Sequence, residues 1–159
     1  MAKLEIQGLK EYGDLIKKLG KNSEKIERSA IYEGAKIVAD EVRKGINSLP
    51  IVYGYGTPSR PLPGGVTAEQ KRGLQEGFGI TPMAEKDGFL NVRIGFDGYN
   101  RTKTEKYPNG QPNQLVARGV ESGTSWKQKH PFVRPAVNRA RKRAHEKMDE
   151  IFEEEVKKL

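Results

Sequence analysis

The chain has 159 residues, no cysteine and a formal net charge of +8, from 29 Lys and Arg against 21 Asp and Glu. The length favours a single domain, and the lack of cysteine excludes disulfides and thiolate metal sites. There is no apolar run near 18 residues and the first residues are charged, so we expect no transmembrane span, no secretory signal and a cytoplasmic protein, with a basic excess that favours an anionic neighbour.

The first fifty residues predict a short strand and two helices. Apolar and charged residues alternate at 3–7, which indicates a strand, and residues 9–19 have helical spacing. A longer helix is expected from an N-cap at Ser23 to a break at Pro50. The small residue Gly34 on this helix would allow another helix to approach closely. The apolar positions of the helix are Ile26, Ala30, Ile31, Ala35, Val38, Val42 and Ile46.

Residues 50–68 are rich in glycine and proline and predict a long loop. Tyr53 and Tyr55 alternate there with glycines. A nucleotide cradle would need a following Lys-Ser or Lys-Thr pair in a strand–turn–helix context, and the sequence has neither. Aromatic residues interleaved with glycine suit a surface that orders against a partner subunit, so we expect both tyrosines to make contacts there.

Residues 73–96 predict an antiparallel hairpin with one buried face. The first strand is expected from Gly73-Leu74 onward, and the turn at residues 84–88. The alternating apolar residues of the second strand are Leu90, Val92, Ile94 and Phe96.

A second polar loop is predicted at residues 99–112, where a turn at 108–110 accompanies an excess of basic residues. A solvated loop is favoured there over a contact with an anionic polymer. Residues 113–122 predict a short helix that ends at Gly123-Thr124. This helix is expected to carry Leu115, Val116 and Val120 into the core.

The last third of the chain predicts one long amphipathic helix. Pro131 and Pro135 fit only in or just before a first turn, so the helix should start near Phe132 and run for roughly 25 residues. Its apolar stripe consists of Phe132, Val133, Ala136, Val137, Ala140, Ala144, Met148, Ile151, Phe152 and Val156. Its polar side is basic first, with Arg134, Arg139, Arg141, Lys142, Arg143 and Lys147, and then acidic, with Asp149, Glu150, Glu153, Glu154 and Glu155. This order opposes the helix macrodipole. Either the charges contact something outside the monomer, or they form a plain solvated face.

Together these elements predict an α+β fold. A small antiparallel sheet, made of the hairpin and the N-terminal strand, would pack against a long N-terminal helix and a long C-terminal helix. We expect one domain over residues 1–159, with flexible loops near 50–68 and 99–112.

The chemistry-bearing residues do not converge on a catalytic or metal site. His130 and His145 have no companion ligands at the right spacing, and the acidic cluster lies on a helix surface. We therefore expect no enzyme activity, no cofactor and no metal. Trp126 is predicted to pack onto the C-terminal helix, with an anchor between subunits as the alternative. Glu121 is favoured as an acceptor at a helix end or turn over a subunit contact.

The order of these elements resembles the gene-product-ten family of lambdoid tailed phages, which are small head–tail joining, neck or tail-completion proteins. The resemblance covers most of the chain and is most specific in its C-terminal half. It departs at Ser122, where the family commonly has an aromatic residue, and in the longer loop at 50–67. The matching motifs are Gly73-Leu74, Arg93-Ile94-Gly95, Val120-Glu121-Ser122-Gly123-Thr124 and Pro131-Phe132-Val133-Arg134-Pro135-Ala136.

The resemblance implies a non-catalytic virion component that assembles into a ring between the portal end of the head and the tail tube, with genomic DNA passing through its lumen. It implies head-closure and tail-tube or tail-terminator proteins as partners, and location in the virion, or in the host cytoplasm during assembly. The alternative is a basic protein that binds nucleic acid without sequence preference; a small hydrolase or nuclease is disfavoured. The candidate subunit or DNA contacts are Tyr53, Tyr55, Trp126, Arg134, Arg139, Arg141 and Arg143.

Overall fold

A computed structural model describes residues 22–158 of the chain. The strand predicted at residues 3–7 and the helix predicted at 9–19 lie outside the described residues. The described chain forms two compact units. The first unit contains residues 22–39, 80–94 and 140–158, and the second contains Asp40–Gly79 and Gly95–Arg139.

The fold is α+β, as the sequence predicts, with four helices and two small antiparallel sheets among residues 22–158. Strand β1 pairs with β4, and β2 pairs with β3. In chain order the elements are α1 (Ser23–Asn47), α2 (Ala68–Gly77), β1 (Phe78–Ile80), β2 (Ala84–Lys86), β3 (Phe89–Asn91), β4 (Ile94–Phe96), α3 (Asn113–Ser122) and α4 (Val133–Lys157).

Helices α1 and α4 pack closely within the first unit. A Cβ atom on Gly34 would lie 2.7 Å from Sδ of Met148, so any larger residue at this position would displace the thioether. The small residue expected to admit another helix therefore does so. The apolar cluster around this contact consists of Ile26, Ala30, Met148, Ile151 and Phe152, all buried.

The second unit has its own core, in which α1 and α4 again meet. A Cβ on Gly45 would lie 2.9 Å from the carbonyl oxygen of Phe132. The ring of Phe132 has its centroid 6.0 Å from that of Phe96, which in turn lies 5.2 Å from that of Phe78. The largest fully buried side chains of the described residues all belong to this unit, and they are Val42, Ile46, Leu49, Val66 and Leu74.

Residues 68–77 form helix α2, so the prediction of β structure from Gly73-Leu74 onward is wrong. The helix begins with a reciprocal capping box: Oγ1 of Thr67 accepts from the Gln70 backbone at 3.2 Å, and Oε1 of Gln70 accepts from the Thr67 backbone at 3.0 Å. This pair satisfies two orphan N–H groups and commits the first turn to a helix. Gly73 and Leu74 are buried inside that helix and do not begin a hairpin.

The predicted hairpin is present, but its turn is shorter than the predicted residues 84–88, because Ala84–Lys86 form β2, and a bulge divides the hairpin into two sheets. Thr81 donates its backbone N–H to the carbonyl of Arg93 at 2.8 Å, whereas Ala84 pairs with Asn91. Thr81 and Ala84 are three residues apart on the first strand, whereas their partners Arg93 and Asn91 are two residues apart on the second. The first strand therefore has one extra residue, next to Pro82, which has no N–H to donate. The predicted buried face is only partly covered, because Leu90, Val92, Ile94 and Phe96 are each half-buried, and their neighbour Phe89 is 74% exposed.

Helix α3 has the bounds that the sequence predicts, and Gly123 ends it with φ of 78°. Val116 and Val120 are buried as predicted, but Leu115 is 44% exposed, so its placement in the core is wrong. The buried positions follow a spacing of three and four residues, and Leu115 lies off that face.

Among residues 22–158, no helix is long and apolar enough to cross a membrane.

Candidate interaction surface

Two loops of the second unit run side by side and are joined by backbone hydrogen bonds. Leu62 donates to the carbonyl of Trp126 at 2.8 Å, and Gln128 donates to the carbonyl of Leu62 at 2.8 Å. Two glycines make this approach possible. A Cβ on Gly56 would collide with the carbonyl oxygen of Trp126, and a Cβ on Gly64 would lie 2.7 Å from Cβ of His130. The glycine-rich sequence of the first loop is thus a requirement of close backbone packing.

Each of these loops also contains a tight turn. Thr57 and Arg60 exchange two backbone hydrogen bonds of 3.1 Å, and Thr124 donates to the carbonyl of Lys127 at 2.9 Å. The second turn holds Trp126 between its ends. Both loops are therefore fixed by their own backbone bonds as well as by each other.

Three aromatic side chains extend from these loops into solvent. Tyr53 is 66% exposed, Tyr55 is fully exposed, and Trp126 is 58% exposed. The expectation that Trp126 packs onto the C-terminal helix is wrong, because the turn directs most of its indole to solvent. Tyr55 directly precedes Gly56, whose backbone contacts that of Trp126, so two separate parts of the sequence contribute to one surface. We call Tyr53, Tyr55, Trp126, Lys127 and Lys129 together the loop surface.

Two lysines give the loop surface its charge. Lys127 is half-buried, and its Nζ donates to the carbonyl of Gly65 at 3.3 Å. Burial lowers the pKa of Lys127 below its ordinary value of 10.5. Lys129 is exposed, and neither lysine forms an ion pair with another residue in 22–158. An open depression beside them is lined by Pro61, Ser122, Gly123, Thr124, Ser125, Lys127, Gln128 and Lys129.

The predicted arginine contacts fall into different surroundings. Arg134 is exposed at the start of α4, in the second unit. Nε of Arg139 lies 3.4 Å from Oε2 of Glu41, a carboxylate only 8% exposed that also pairs with Lys44 at 3.0 Å. Arg139 therefore neutralises a buried charge, and its role is at least partly structural.

Arg141 and Arg143 lie on the part of α4 that belongs to the first unit, and both are exposed. They are not part of the loop surface. Arg143 takes part in a noncovalent interaction with another group of the protein.

Glu121 is an acceptor at a helix end, as the sequence favours. Its Oε2 accepts from the backbone nitrogens of Phe132 at 2.8 Å and Val133 at 2.9 Å, and its Oε1 accepts from that of Arg134 at 3.0 Å. The carboxylate satisfies three N–H groups at the positive end of α4 and leaves little capacity for another partner. The loop that carries Trp126 is fixed between this cap and the end of α3.

The titratable side chains of the described residues do not form a metal-binding cluster. Within residues 22–158, no group of three or more His, Asp and Glu side chains is placed to hold a metal ion. His130 is exposed, and His145 is half-buried on α4.

Sequence reasoning found the three aromatic residues of the loop surface but missed Lys127 and Lys129. The spacing Trp-Lys-x-Lys was visible in a segment without acidic residues, since residues 123–139 contain four basic side chains and no carboxylate. The pairing of the two loops was not visible, because it depends on backbone contacts between residues more than 60 positions apart.

Comparisons with protein-family models, with curated proteins and with solved structures find no match to this chain.

Proposed function

We propose that this chain is a structural subunit of the neck of a tailed phage or prophage. Copies of it would form a ring that joins head and tail around the DNA channel, in contact with head-closure and tail-tube or tail-terminator proteins. It would act in the virion, after assembly in the host cytoplasm, by binding and without catalysis.

The observation that carries this proposal is the exposure of Tyr53, Tyr55 and Trp126 on loops fixed by backbone hydrogen bonds. Trp and Tyr are the residues most enriched among those that dominate protein–protein binding energy. Loops that are already ordered lose less conformational entropy when a partner binds. Exposed aromatic residues on loops that are already ordered are therefore suited to a subunit contact.

The resembled motif supports the same proposal, because its two halves flank this surface. Glu121 and Gly123 lie at the end of α3, and Phe132, directly before α4, donates its backbone N–H to the Glu121 carboxylate. The residues between them carry Trp126. A corner that holds an exposed tryptophan in place is consistent with a motif used for assembly.

The proposal is tested by joining particles in vitro. Heads and tails from a phage that lacks this chain should accumulate separately, and the purified protein should join them into complete particles, counted by electron microscopy. If heads and tails join equally well without the protein, or stay separate when it is added, the proposal fails.

Matched variants connect this activity to the surface. Tyr55→Ala and Trp126→Ala should each lower joining by more than 10-fold, because truncation of a central aromatic residue costs about 2 kcal/mol or more of binding energy. Tyr99→Ala removes an aromatic side chain that is 69% exposed and outside the loop surface, and it should join particles like the parent.

A second candidate function, binding of duplex DNA without sequence preference, is favoured by the loop at residues 99–112. Arg101, Lys103 and Lys106 are exposed there and form no ion pair with another described residue, although Lys106 lies 5.7 Å from the ring centroid of Tyr107. Contacts with phosphates release counterions, so binding should weaken steeply with salt. A titration of duplex DNA at increasing salt would support this function by a steep slope that falls in Lys103→Gln, and would oppose it by an absence of binding at low salt.

A further inference from the structure

We propose that the acidic end of α4 in one copy docks on the loop surface of a second copy, so that copies join head to tail. This inference rests on the proposed function and names the two surfaces that would form the ring contact.

The acidic end carries carboxylates that have no cationic partner among residues 22–158. Asp149 and Glu153 are exposed and form no ion pair in that part of the chain, and the exposed Glu154 has only a Coulombic interaction with Lys158. Three other carboxylates of the same segment do have partners. Glu146 lies 3.9 Å from Lys142, Glu150 lies 3.4 Å from Lys147, and Glu155 lies 2.6 Å from Lys158.

Local stability does not explain this placement. The carboxylates lie near the C-terminal end of α4, which is the negative end of the helix dipole. Asp149 and Glu153 are also four residues apart, where like charges on a helix repel each other. Contact with a cationic surface of another molecule would offset this cost, and it would explain why the carboxylates are placed there.

The loop surface has the complementary charge and lacks an internal partner for it. Lys127 and Lys129 lie in a segment, residues 123–139, that contains no carboxylate. Lys127 is half-buried with only a carbonyl oxygen at 3.3 Å, so an incoming carboxylate would supply the anion that this chain does not. Trp126, the exposed residue that directly precedes Lys127, can cover the aliphatic parts of a docked helix while the charges pair.

The two surfaces are different from each other, which determines what kind of assembly they make. A contact between unlike surfaces leaves each copy with one free surface of each kind, so copies add successively until a ring closes. A second copy is favoured over DNA as the occupant, because DNA would use the lysines and leave the acidic end without a partner.

The contact is tested with two neutralised variants of the full chain. The basic variant carries Lys127→Gln and Lys129→Gln, and the acidic variant carries Asp149→Asn, Glu153→Gln and Glu154→Gln. Sedimentation of the parent should show association that grows with protein concentration at low salt and declines as salt rises. Each variant alone should associate at least 10-fold more weakly. An equal mixture should form a 1:1 complex that does not grow further, because only one complementary pair of surfaces remains.

Matched controls remove the same charge elsewhere on exposed positions. Lys25→Gln with Lys86→Gln controls for the basic variant, and Glu76→Gln with Glu85→Gln and Glu105→Gln controls for the acidic one. Both controls should associate like the parent, and circular dichroism should show the same helix content in all five proteins.

The inference is overturned if the parent stays monomeric at low salt, if both variants associate like the parent, or if the mixture does not form a complex. It is also overturned if the basic variant loses duplex DNA binding but keeps self-association. Variants that lose self-association yet still join heads to tails would uphold the contact and remove the proposed function. If the parent never self-associates but still joins heads to tails, the proposed function stands and the head-to-tail contact between copies is overturned.

Discussion

The carboxylate of Glu121 caps helix α4 through the backbone nitrogen of Phe132, which lies 2.8 Å from Oε2. The next two backbone nitrogens bind the same side chain at 2.9 and 3.0 Å. One residue from the end of α3 thus satisfies the first N–H groups of a helix that begins twelve positions later. This contact links the end of α3 directly to the start of α4.

Glu121→Ala should lower the free energy of unfolding by about 1–2 kcal/mol, because it leaves three N–H groups at a helix start without their acceptor. Glu121→Gln should lower it less, since the amide oxygen can still accept. Urea denaturation of both variants measures the difference. Equal stability of the alanine variant and the parent would mean that water replaces the cap without loss.

Gly45→Ala should be more destabilising than Gly34→Ala, although alanine is favoured over glycine in a helix by about 1 kcal/mol at either position. At Gly34 the new methyl group meets the flexible end of Met148, with Sδ at 2.7 Å. At Gly45 it meets the backbone oxygen of Phe132 at 2.9 Å, which cannot move without shifting α4. We expect Gly34→Ala to stay within about 1 kcal/mol of the parent and Gly45→Ala to lose about 1–3 kcal/mol, as overpacking does. The melting temperatures of the pair should differ accordingly, and the reverse order would contradict the packing.

Phe132→Ala should lower the free energy of unfolding by about 3–5 kcal/mol, the range for truncation of a buried aromatic residue. Phe132 is 4% exposed and its ring contacts that of Phe96. Phe89→Ala is the matched control, because Phe89 is 74% exposed, and it should change stability by less than about 0.5 kcal/mol. Chemical denaturation decides the matter, and similar losses in both variants would show that Phe132 is not a core residue.

Hydrophobic periodicity was sufficient to predict the long helices. The stripe from Phe132 to Phe152 is buried as predicted except for Val133, which is half-buried, and Pro131 and Pro135 locate the start of the helix within a residue or two. The same method was wrong at Gly73, because it gave weight to spaced apolar residues and overlooked the Thr67–Gln70 capping box. It also could not predict the bulge beside Pro82, which depends on how two strands align across the sheet.

The loop surface shows the limit of sequence reasoning for sites. Tyr53 and Tyr55 were identified because aromatic residues between glycines are unusual in a loop. Their proximity to the Trp126 turn follows from the bonds between Leu62 and residues 126–128, for which local sequence carries no signal. The same limit applies to Arg139. Its sequence context predicted a row of exposed basic residues, but Arg139 pairs with the buried carboxylate of Glu41, which lies 98 positions away.

Lys127 should make the protein more stable as pH rises towards 10.5. Burial lowers its pKa below that ordinary value, so between the lowered pKa and 10.5 the unfolded chain binds more protons at this residue than the folded chain does. Stability contributed by this group therefore increases with pH across that window, and the penalty for burying the charge is fully present below it.

Lys127→Met keeps the aliphatic stem without the charge. The variant should be at least as stable as the parent at pH 7, and the difference should shrink as the pH approaches 10.5. Urea titrations at pH 7, 9 and 10 give the difference directly, with the exposed Lys129→Met as the control for losing a charge from the same surface. A variant that is less stable than the parent at pH 7 would show that the hydrogen bond to Gly65 outweighs the desolvation of the amine.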